Sequence, residues 1–185
     1  MHDPRQLSSE RTIAARGGME MKTIIRLVLV AAVGSAISFS VSAASLTDQL
    51  VGVWSLASTV NKRPDGSTYE AFGGGTRGLL MFDRDGHFSL QLMGDARRKF
   101  ASNNRLEGSP EENKGVAQGS LAYFGTYAAS DADHVLTLKV DRSSYPNWDD
   151  TDQKRQISLT SDELKWTNLA SSGGGTAELI WRRAK

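Results

Sequence analysis

Cysteine is absent from the 185 residues of this chain. A protein without cysteine forms no disulfide, holds no metal through thiolates and uses no thiol as a nucleophile. Its stability therefore has to come from a packed apolar core.

Histidine is scarce too: of the three histidines, only His87 and His134 lie beyond residue 43. Each follows an acidic turn, and neither belongs to an H-x-H or H-E-x-x-H pattern. We interpret both as exposed residues at strand ends and expect no metal site. The cluster Asp149-Asp150-Thr151-Asp152 lacks the spacing of an EF-hand loop, and a solvated turn explains it equally well.

Two familiar catalytic motifs are also missing. No serine stands in a Gly-x-Ser-x-Gly elbow, so acyl transfer of that kind has no support. Gly73-Gly74-Gly75 and Gly173-Gly174-Gly175 are not followed by Lys-Ser or Lys-Thr, and neither opens a predicted helix. We interpret them as flexible hairpin tips, and we expect no cofactor.

Residues 21–43 have the three parts of a signal peptide. Lys22 and Arg26 supply the positive start, residues 27–37 form an apolar run, and Val41-Ser42-Ala43 offers small residues to a peptidase. We expect cleavage after Ala43 and a periplasmic or secreted protein. The apolar run is shorter than the roughly 20 residues of a membrane span, so we expect no stable membrane anchor after cleavage; an uncleaved anchor is the alternative.

Residues 1–20 are polar and lack apolar periodicity, which indicates an N-terminal extension or an over-extended gene start. Five of the 22 basic and three of the 21 acidic residues lie within residues 1–43. The domain expected over residues 44–185 therefore has 17 basic and 18 acidic residues, a net charge of −1. This balance gives no reason to expect binding to nucleic acid.

Turn signals recur at close to the roughly 8–12 residue spacing of all-β domains. Segments with strand composition lie between them, and their short connections predict an antiparallel meander. The predicted strands are residues 54–60, 67–72, 78–82, 87–93, 121–128, 135–141, 154–160, 164–169 and 176–183.

The connection between Met93 and Leu121 is much longer than the others. Within it, Ser109-Pro110-Glu111-Glu112 has the capping serine, the proline and the glutamate that start a helix. Gly115 and Gly119 should limit this helix to about two turns. Loops of this length are usually functional or mobile, so the segment is a candidate to lie across a barrel mouth.

An aromatic group is the best candidate for a binding site. Tyr123 and Tyr127 are four residues apart on one strand and share a face, with Gly125 between them to leave space. Tyr145-Pro146-Asn147-Trp148 follows later in the chain. Tyrosine and tryptophan suit a pocket that binds and orients apolar molecules, while core packing and a rigid turn are the alternative explanations.

The two ends of the predicted domain carry a tryptophan and an arginine that can be read together. Gly52-Val53-Trp54 lies on the first strand and Trp181-Arg182-Arg183 on the last. This arrangement resembles a lipocalin, in which an arginine packs against a tryptophan to close one end of the barrel. Alternation puts Arg183 on the face of Trp181, so we expect Arg183 to contact Trp54 and Arg182 to face solvent.

Over residues 50–183 the chain resembles the bacterial and fungal lipocalin-like domain family, most of whose members have no assigned function. The resemblance implies an all-β fold: an antiparallel up-and-down barrel of about eight to nine strands, with an internal cavity and one short helix in a long connection. One departure is Leu138-Lys139-Val140, where relatives commonly carry a histidine before the valine; any chemistry of that histidine is in doubt here. The matching segments are Leu50-Val51-Gly52-Val53-Trp54, Gly78-Leu79-Leu80-Met81-Phe82 with Asp85-Gly86, Gln91-Leu92-Met93, Ala122-Tyr123-Phe124-Gly125-Thr126-Tyr127, and Pro146-Asn147-Trp148 with Gln153 and Arg155.

We therefore expect an exported, monomeric barrel that binds a small, largely apolar molecule. A second hypothesis is a cofactor-independent isomerase or cyclase that uses the barrel cavity, in which Asp141, Tyr123 or Arg155 guides protons; an inward-pointing Asp141 would support it and a solvent-facing one would not. A third is a structural or interaction domain with a filled barrel and an exposed apolar patch. The ligand-binding residues predicted under the first hypothesis are Tyr123, Tyr127, Asn147, Trp148 and Arg155.

Overall fold

The structure is a computed structural model that describes residues 44–185. The predicted N-terminal extension (residues 1–20) and signal peptide (residues 21–43) lie outside the described residues. Among residues 44–185, no helix has the length and hydropathy needed to cross a membrane.

The nine predicted strands are all present, with two helices and a single 3₁₀ turn among the described residues. The strands are β1 (Gly52–Lys62), β2 (Thr68–Tyr69), β3 (Arg77–Phe82), β4 (His87–Met93), β5 (Ser120–Ser130), β6 (Val135–Ser143), β7 (Asp152–Leu159), β8 (Glu163–Asn168) and β9 (Thr176–Arg183). The helices are α1 (Leu46–Leu50) and α2 (Pro110–Gly119), and the 3₁₀ turn is Pro146–Trp148.

These strands form one antiparallel sheet that closes on itself. Each strand from β3 to β8 pairs with the next along the chain, β1 pairs with β3, and β9 returns to pair with β1. Eight strands therefore make a closed up-and-down barrel, and β2 pairs with the end of β1 as an extra strand. The predicted barrel is confirmed.

Strand alternation fills the barrel interior as the sequence predicts. On β4, Phe88, Leu90 and Leu92 are buried, while the residues between them face outward or are partly exposed. Inward side chains of the other strands complete one apolar core, which includes Trp54, Trp166 and Trp181. Apolar burial of this kind is the main source of stability in a domain without disulfides.

One end of the barrel is closed by α1 and by Arg183. The guanidinium carbon of Arg183 lies 4.1 Å from the centroid of the Trp54 ring, and the two residues pair across β1 and β9. The predicted contact between them is confirmed. Gly52 has a φ of +132°, and a side chain there would collide with Arg183, so both backbone angle and space require glycine.

Helix α1 was not predicted from the sequence, although Ser45 and Asp48 form the start of a helix cap. The Ser45 hydroxyl accepts a hydrogen bond from the Asp48 backbone N–H at 3.1 Å. Leu46 and Leu50 are buried against the barrel, and the Leu50 carbonyl accepts the Trp54 indole N–H at 2.8 Å. The helix thus covers the closed end.

Two irregularities change which residues face inward. On β1 the pairing with β9 shifts between Leu56 and Ser58. The alternation changes phase at this point, so both Trp54 and Asn61 face inward. Between β5 and β6 the pairing shifts at Gly125, which leaves Asp141 as the extra residue of β6.

Helix α2 begins where the sequence predicts, and a capping box holds its first turn. Ser109 accepts a hydrogen bond from the Glu112 backbone N–H, and Glu112 accepts one from the Ser109 backbone N–H. The helix has ten residues and ends at Gly119, so it is somewhat longer than the predicted two turns.

Candidate ligand-binding cavity

The end of the barrel opposite α1 holds a cavity of about 710 Å³. Four connections surround this open end: residues 63–76, 94–119, 144–151 and 169–175. The cavity is large enough for a small organic molecule. Its lining includes side chains from β1, β4, β5, β7, β8 and β9, together with residues of all four connections.

One wall of the cavity is aromatic. The ring of Trp148 lies edge to face against Tyr123, with centroids 5.3 Å apart, and against Tyr145, with centroids 5.8 Å apart. The 3₁₀ turn holds Trp148 in place, because the Thr151 hydroxyl donates to the Trp148 carbonyl at 2.7 Å. Such rings offer a large apolar surface whose geometry is already set.

Arg155 provides the charge of the cavity. It projects inward from β7, is 3% exposed, and is the single charged side chain among the lining residues that the structure describes. Its guanidinium carbon lies 5.7 Å from the Trp148 ring centroid and 5.9 Å from that of Trp166. The two indole rings are placed to stabilise the cation.

Neutral polar groups lie on the same lining. Asn61 and Trp166 are each 2% exposed, and Asn168 is buried beside them at the end of β8. Within residues 44–185, the Asn61 side-chain N–H group and the Trp166 indole N–H have no hydrogen-bond partner. The buried Trp181 indole N–H, away from the cavity lining, also lacks a partner among these residues, so a missing partner does not by itself mark a ligand position.

Tyr123 contributes a neutral hydroxyl. Burial raises the pKa of the Tyr123 phenol, and the neighbouring Arg155 guanidinium opposes this shift. The phenol therefore stays protonated at neutral pH and can donate or accept a hydrogen bond. It does not supply a negative charge to the cavity.

Helix α2 and its flanking loop lie at the cavity mouth. Ala117 and Gln118 of α2 line the cavity, and the Gly94 N–H donates to the Gly119 carbonyl at 2.8 Å. Across the mouth, the Tyr69 hydroxyl donates to the Gly174 carbonyl at 3.1 Å. The long connection thus borders the mouth.

The first glycine run adopts backbone angles that favour glycine. Gly73, Gly74 and Gly75 all have positive φ, and the Gly74 carbonyl accepts the Asp95 N–H at 3.2 Å. Strand β2 ends at Tyr69, earlier than predicted.

The five predicted site residues separate into two groups. Tyr123, Trp148 and Arg155 meet at the cavity. Asn147, in the same 3₁₀ turn as Trp148, is exposed and is not one of the lining residues described. Tyr127 faces the interior, as its spacing from Tyr123 predicts, but lies at the closed end.

Tyr127 is engaged in packing rather than directed at the cavity. Its hydroxyl donates to the Asp83 carbonyl at 2.8 Å, and its ring centroid lies 4.6 Å from that of Phe82. Gly125 does not clear space for a ligand either: a side chain there would collide with the Lys139 carbonyl at the β5–β6 irregularity. Close backbone approach therefore explains this glycine.

Asp141 is exposed, because it is the extra residue at the irregularity of β6. This exposed position removes the main support of the isomerase or cyclase hypothesis. Lys139, which stands where relatives commonly carry a histidine, is also exposed. His87 and His134 are exposed as predicted.

The sequence did not predict three polar or aromatic residues of the cavity lining: Asn61, Trp166 and Asn168. Leu164, Trp166 and Asn168 occupy alternate positions on β8 and face inward. The polar residue at the end of this inward face was a signal in the sequence for a polar group on the lining. Asn61 had no such signal, because the irregularity in β1 reverses the alternation that starts from Trp54.

Comparison with known proteins agrees with this architecture. No curated protein matches the chain. The family model described as a lipocalin-like domain matches residues 51–184, which cover the whole barrel from the end of α1 onward. With this match and a closed barrel that has a cavity at one end, the chain belongs to the lipocalin-like domain family.

Proposed function

We propose that this protein is an exported, monomeric barrel that binds a small, largely apolar molecule in the cavity at its open end. The observation that carries the proposal is the cavity of about 710 Å³, with Tyr123, Trp148 and Arg155 on its lining. Concave, largely apolar sites with a few convergent polar groups are typical of small-molecule binding.

Export is supported by the positive start, apolar run and small residues of 21–43. A monomer is supported by the closure of the barrel, because β9 pairs with β1 and leaves few free strand edges for another chain. Size-exclusion chromatography with light scattering measures the oligomeric state directly.

The isomerase or cyclase hypothesis has less support. Asp141 is exposed, and among the described lining residues there is neither a carboxylate nor a histidine to act as a base at neutral pH. The filled-barrel hypothesis is disfavoured by the cavity volume.

Filling the cavity tests the binding proposal. Ala177 is buried on β9, lines the cavity and pairs with Asn61 and Asn168 on the neighbouring strands. In Ala177→Phe, the added ring should occupy part of the cavity and weaken binding of the neutral dye Nile red by about tenfold, or about 1.4 kcal/mol. Fluorescence titration measures the affinity.

Ala128→Phe is the matched control, because Ala128 is exposed on β5. It should leave the affinity for Nile red unchanged. Equal affinity of wild type and Ala177→Phe would count against the cavity as the binding site. Native mass spectrometry of the purified protein should additionally reveal co-purifying apolar molecules.

A further inference from the structure

Among the described residues, the cavity contains one positive charge and no negative one. Arg155 is 3% exposed, and within residues 44–185 no carboxylate forms an ion pair with it. Its hydrogen bonds go to neutral acceptors nearby in the chain: the Lys154 carbonyl at 2.8 Å and the Gln153 side-chain oxygen at 3.5 Å.

This arrangement leaves the Arg155 guanidinium poorly compensated. A guanidinium keeps its positive charge in proteins and has five N–H donors in a planar fork. A buried cation without a counter-charge is unfavourable, and the nearby indole rings offset only part of that cost. The site therefore favours an anion that enters from outside the chain.

The surrounding neutral groups favour the same kind of ligand. The Trp166 indole N–H and the Asn61 side-chain N–H group lack partners within residues 44–185, and both residues line the cavity with Arg155. The protonated Tyr123 hydroxyl is a third possible donor. The Trp166 ring centroid lies 5.9 Å from the Arg155 guanidinium carbon, and Tyr123 neighbours Arg155, so two of these groups lie beside the cation that an anion would contact.

We infer that the natural ligand is an apolar molecule with one carboxylate, which pairs with Arg155; this inference rests on the proposed function. A carboxylate matches the planar guanidinium fork and balances its single charge. A phosphate monoester would bring up to two negative charges against one cation, and the excess would be buried. The aromatic wall of Tyr123, Trp148 and Tyr145 accommodates the apolar body.

Matched probes test this inference on the wild-type chain. Dodecanoate, dodecanamide and dodecyl phosphate share one apolar tail and differ in the head group. Trp148 and Trp166 lie beside Arg155, so intrinsic tryptophan fluorescence reports binding. Dodecanoate should bind about 10- to 100-fold more tightly than dodecanamide, and more tightly than dodecyl phosphate.

Substitution assigns the preference to Arg155. Arg155→Met keeps the length of the side chain and removes the charge, so the preference for dodecanoate over dodecanamide should fall to about onefold. Without any probe, this variant should unfold at the same or a higher denaturant concentration, because an uncompensated buried cation is gone. Lys154→Met, at the exposed neighbouring position, should retain the preference.

The outcomes separate the inference from the proposed function. If wild type binds dodecanoate and dodecanamide equally, the carboxylate inference is overturned while the binding barrel stands. Tighter binding of dodecyl phosphate also overturns it. If neither the three probes nor Nile red binds, the inference and the proposed function both fail. Arg155→Lys keeps the positive charge and changes only the geometry of the donors. This variant should retain only part of the preference for dodecanoate over dodecanamide, because an ammonium lacks the planar fork.

Discussion

Arg183 shows how one side chain closes a barrel end. Besides its contact with the Trp54 ring, its guanidinium donates to three backbone carbonyls: Gln49 at 2.7 Å, Val51 at 2.8 Å and Ser161 at 2.7 Å. Gln49 and Val51 belong to the segment around α1, whereas Ser161 belongs to the β7–β8 turn. Arg183 therefore fastens the segment around α1 and the β7–β8 turn to the last strand.

Replacement of Arg183 by alanine should destabilise the protein by about 2 kcal/mol, because the cation–π contact and several charge-assisted hydrogen bonds are lost together. Arg182→Ala is the control, since Arg182 is exposed and pairs with Glu163 on the surface. It should cost about 0.2–1 kcal/mol. Denaturant unfolding followed by tryptophan fluorescence measures both, and equal losses would contradict a special role for Arg183.

At the scale of elements, the connection over residues 94–119 is organised by Glu112. One carboxylate oxygen accepts the Ser109 N–H at 2.8 Å and the other accepts the Ala101 N–H at 2.8 Å. The start of α2 is thereby tied to the loop that precedes it. Because Ala117 and Gln118 of the same helix line the cavity, this tie also positions part of the mouth.

Glu112→Gln should loosen this connection without unfolding the barrel, since glutamine offers one acceptor oxygen and would turn its amide N–H group toward a backbone N–H. Trypsin should then cut after Arg105, between the two tied points, several-fold faster than in wild type. Glu111→Gln, in the same turn, is the control. Unchanged cleavage in both variants would show that the Glu112 hydrogen bonds do not hold the loop.

Acid should have the same effect as Glu112→Gln. Hydrogen bonds from the backbone N–H groups of Ser109 and Ala101 lower the pKa of the Glu112 carboxyl below its ordinary value of 4.5. The stabilisation is therefore complete above that ordinary value and is lost as the pH falls through the lowered pKa. Hydrogen exchange of residues 100–109, corrected for intrinsic rates, should accelerate in that range in wild type and change less in Glu112→Gln.

At the scale of the whole molecule, the two barrel ends are built differently. At the closed end, the Trp54 indole N–H and the Arg183 guanidinium have backbone partners, although among residues 44–185 the buried Trp181 indole N–H has none. The open end leaves Trp166 and Asn61 N–H groups without partners among residues 44–185 and places Arg155 among them. Stability and the proposed binding thus occupy opposite ends.

Export of the whole molecule predicts a defined product. When the chain is produced in a bacterium with a periplasm, mature protein should accumulate there with Ala44 as its first residue, because Val41-Ser42-Ala43 offers the cleavage site. Intact mass and N-terminal sequencing measure this. Leu29→Arg, which interrupts the apolar run, should block the process, whereas an uncleaved product in the wild-type experiment would contradict the proposed signal peptide.

The sequence by itself determined the architecture of this protein. Strand composition between regularly spaced turn signals identified all nine strands, and the capping residues at Ser109 and Glu112 located α2. The contact between Trp54 and Arg183 was also predictable. These features depend on side-chain periodicity and turn preferences that act over a few residues, or on a family resemblance that covers the barrel.

Only the tertiary structure decided which side chains line the cavity. Tyr123 and Tyr127 share a face, yet one lies at the cavity and the other at the closed end, because position along the barrel axis depends on strand register. Strand irregularities turned Asn61 inward and placed Asp141 outside. Among residues 44–185, the burial of Arg155 without a carboxylate partner also depends on which distant strands surround it, and no local pattern in the sequence encodes that arrangement.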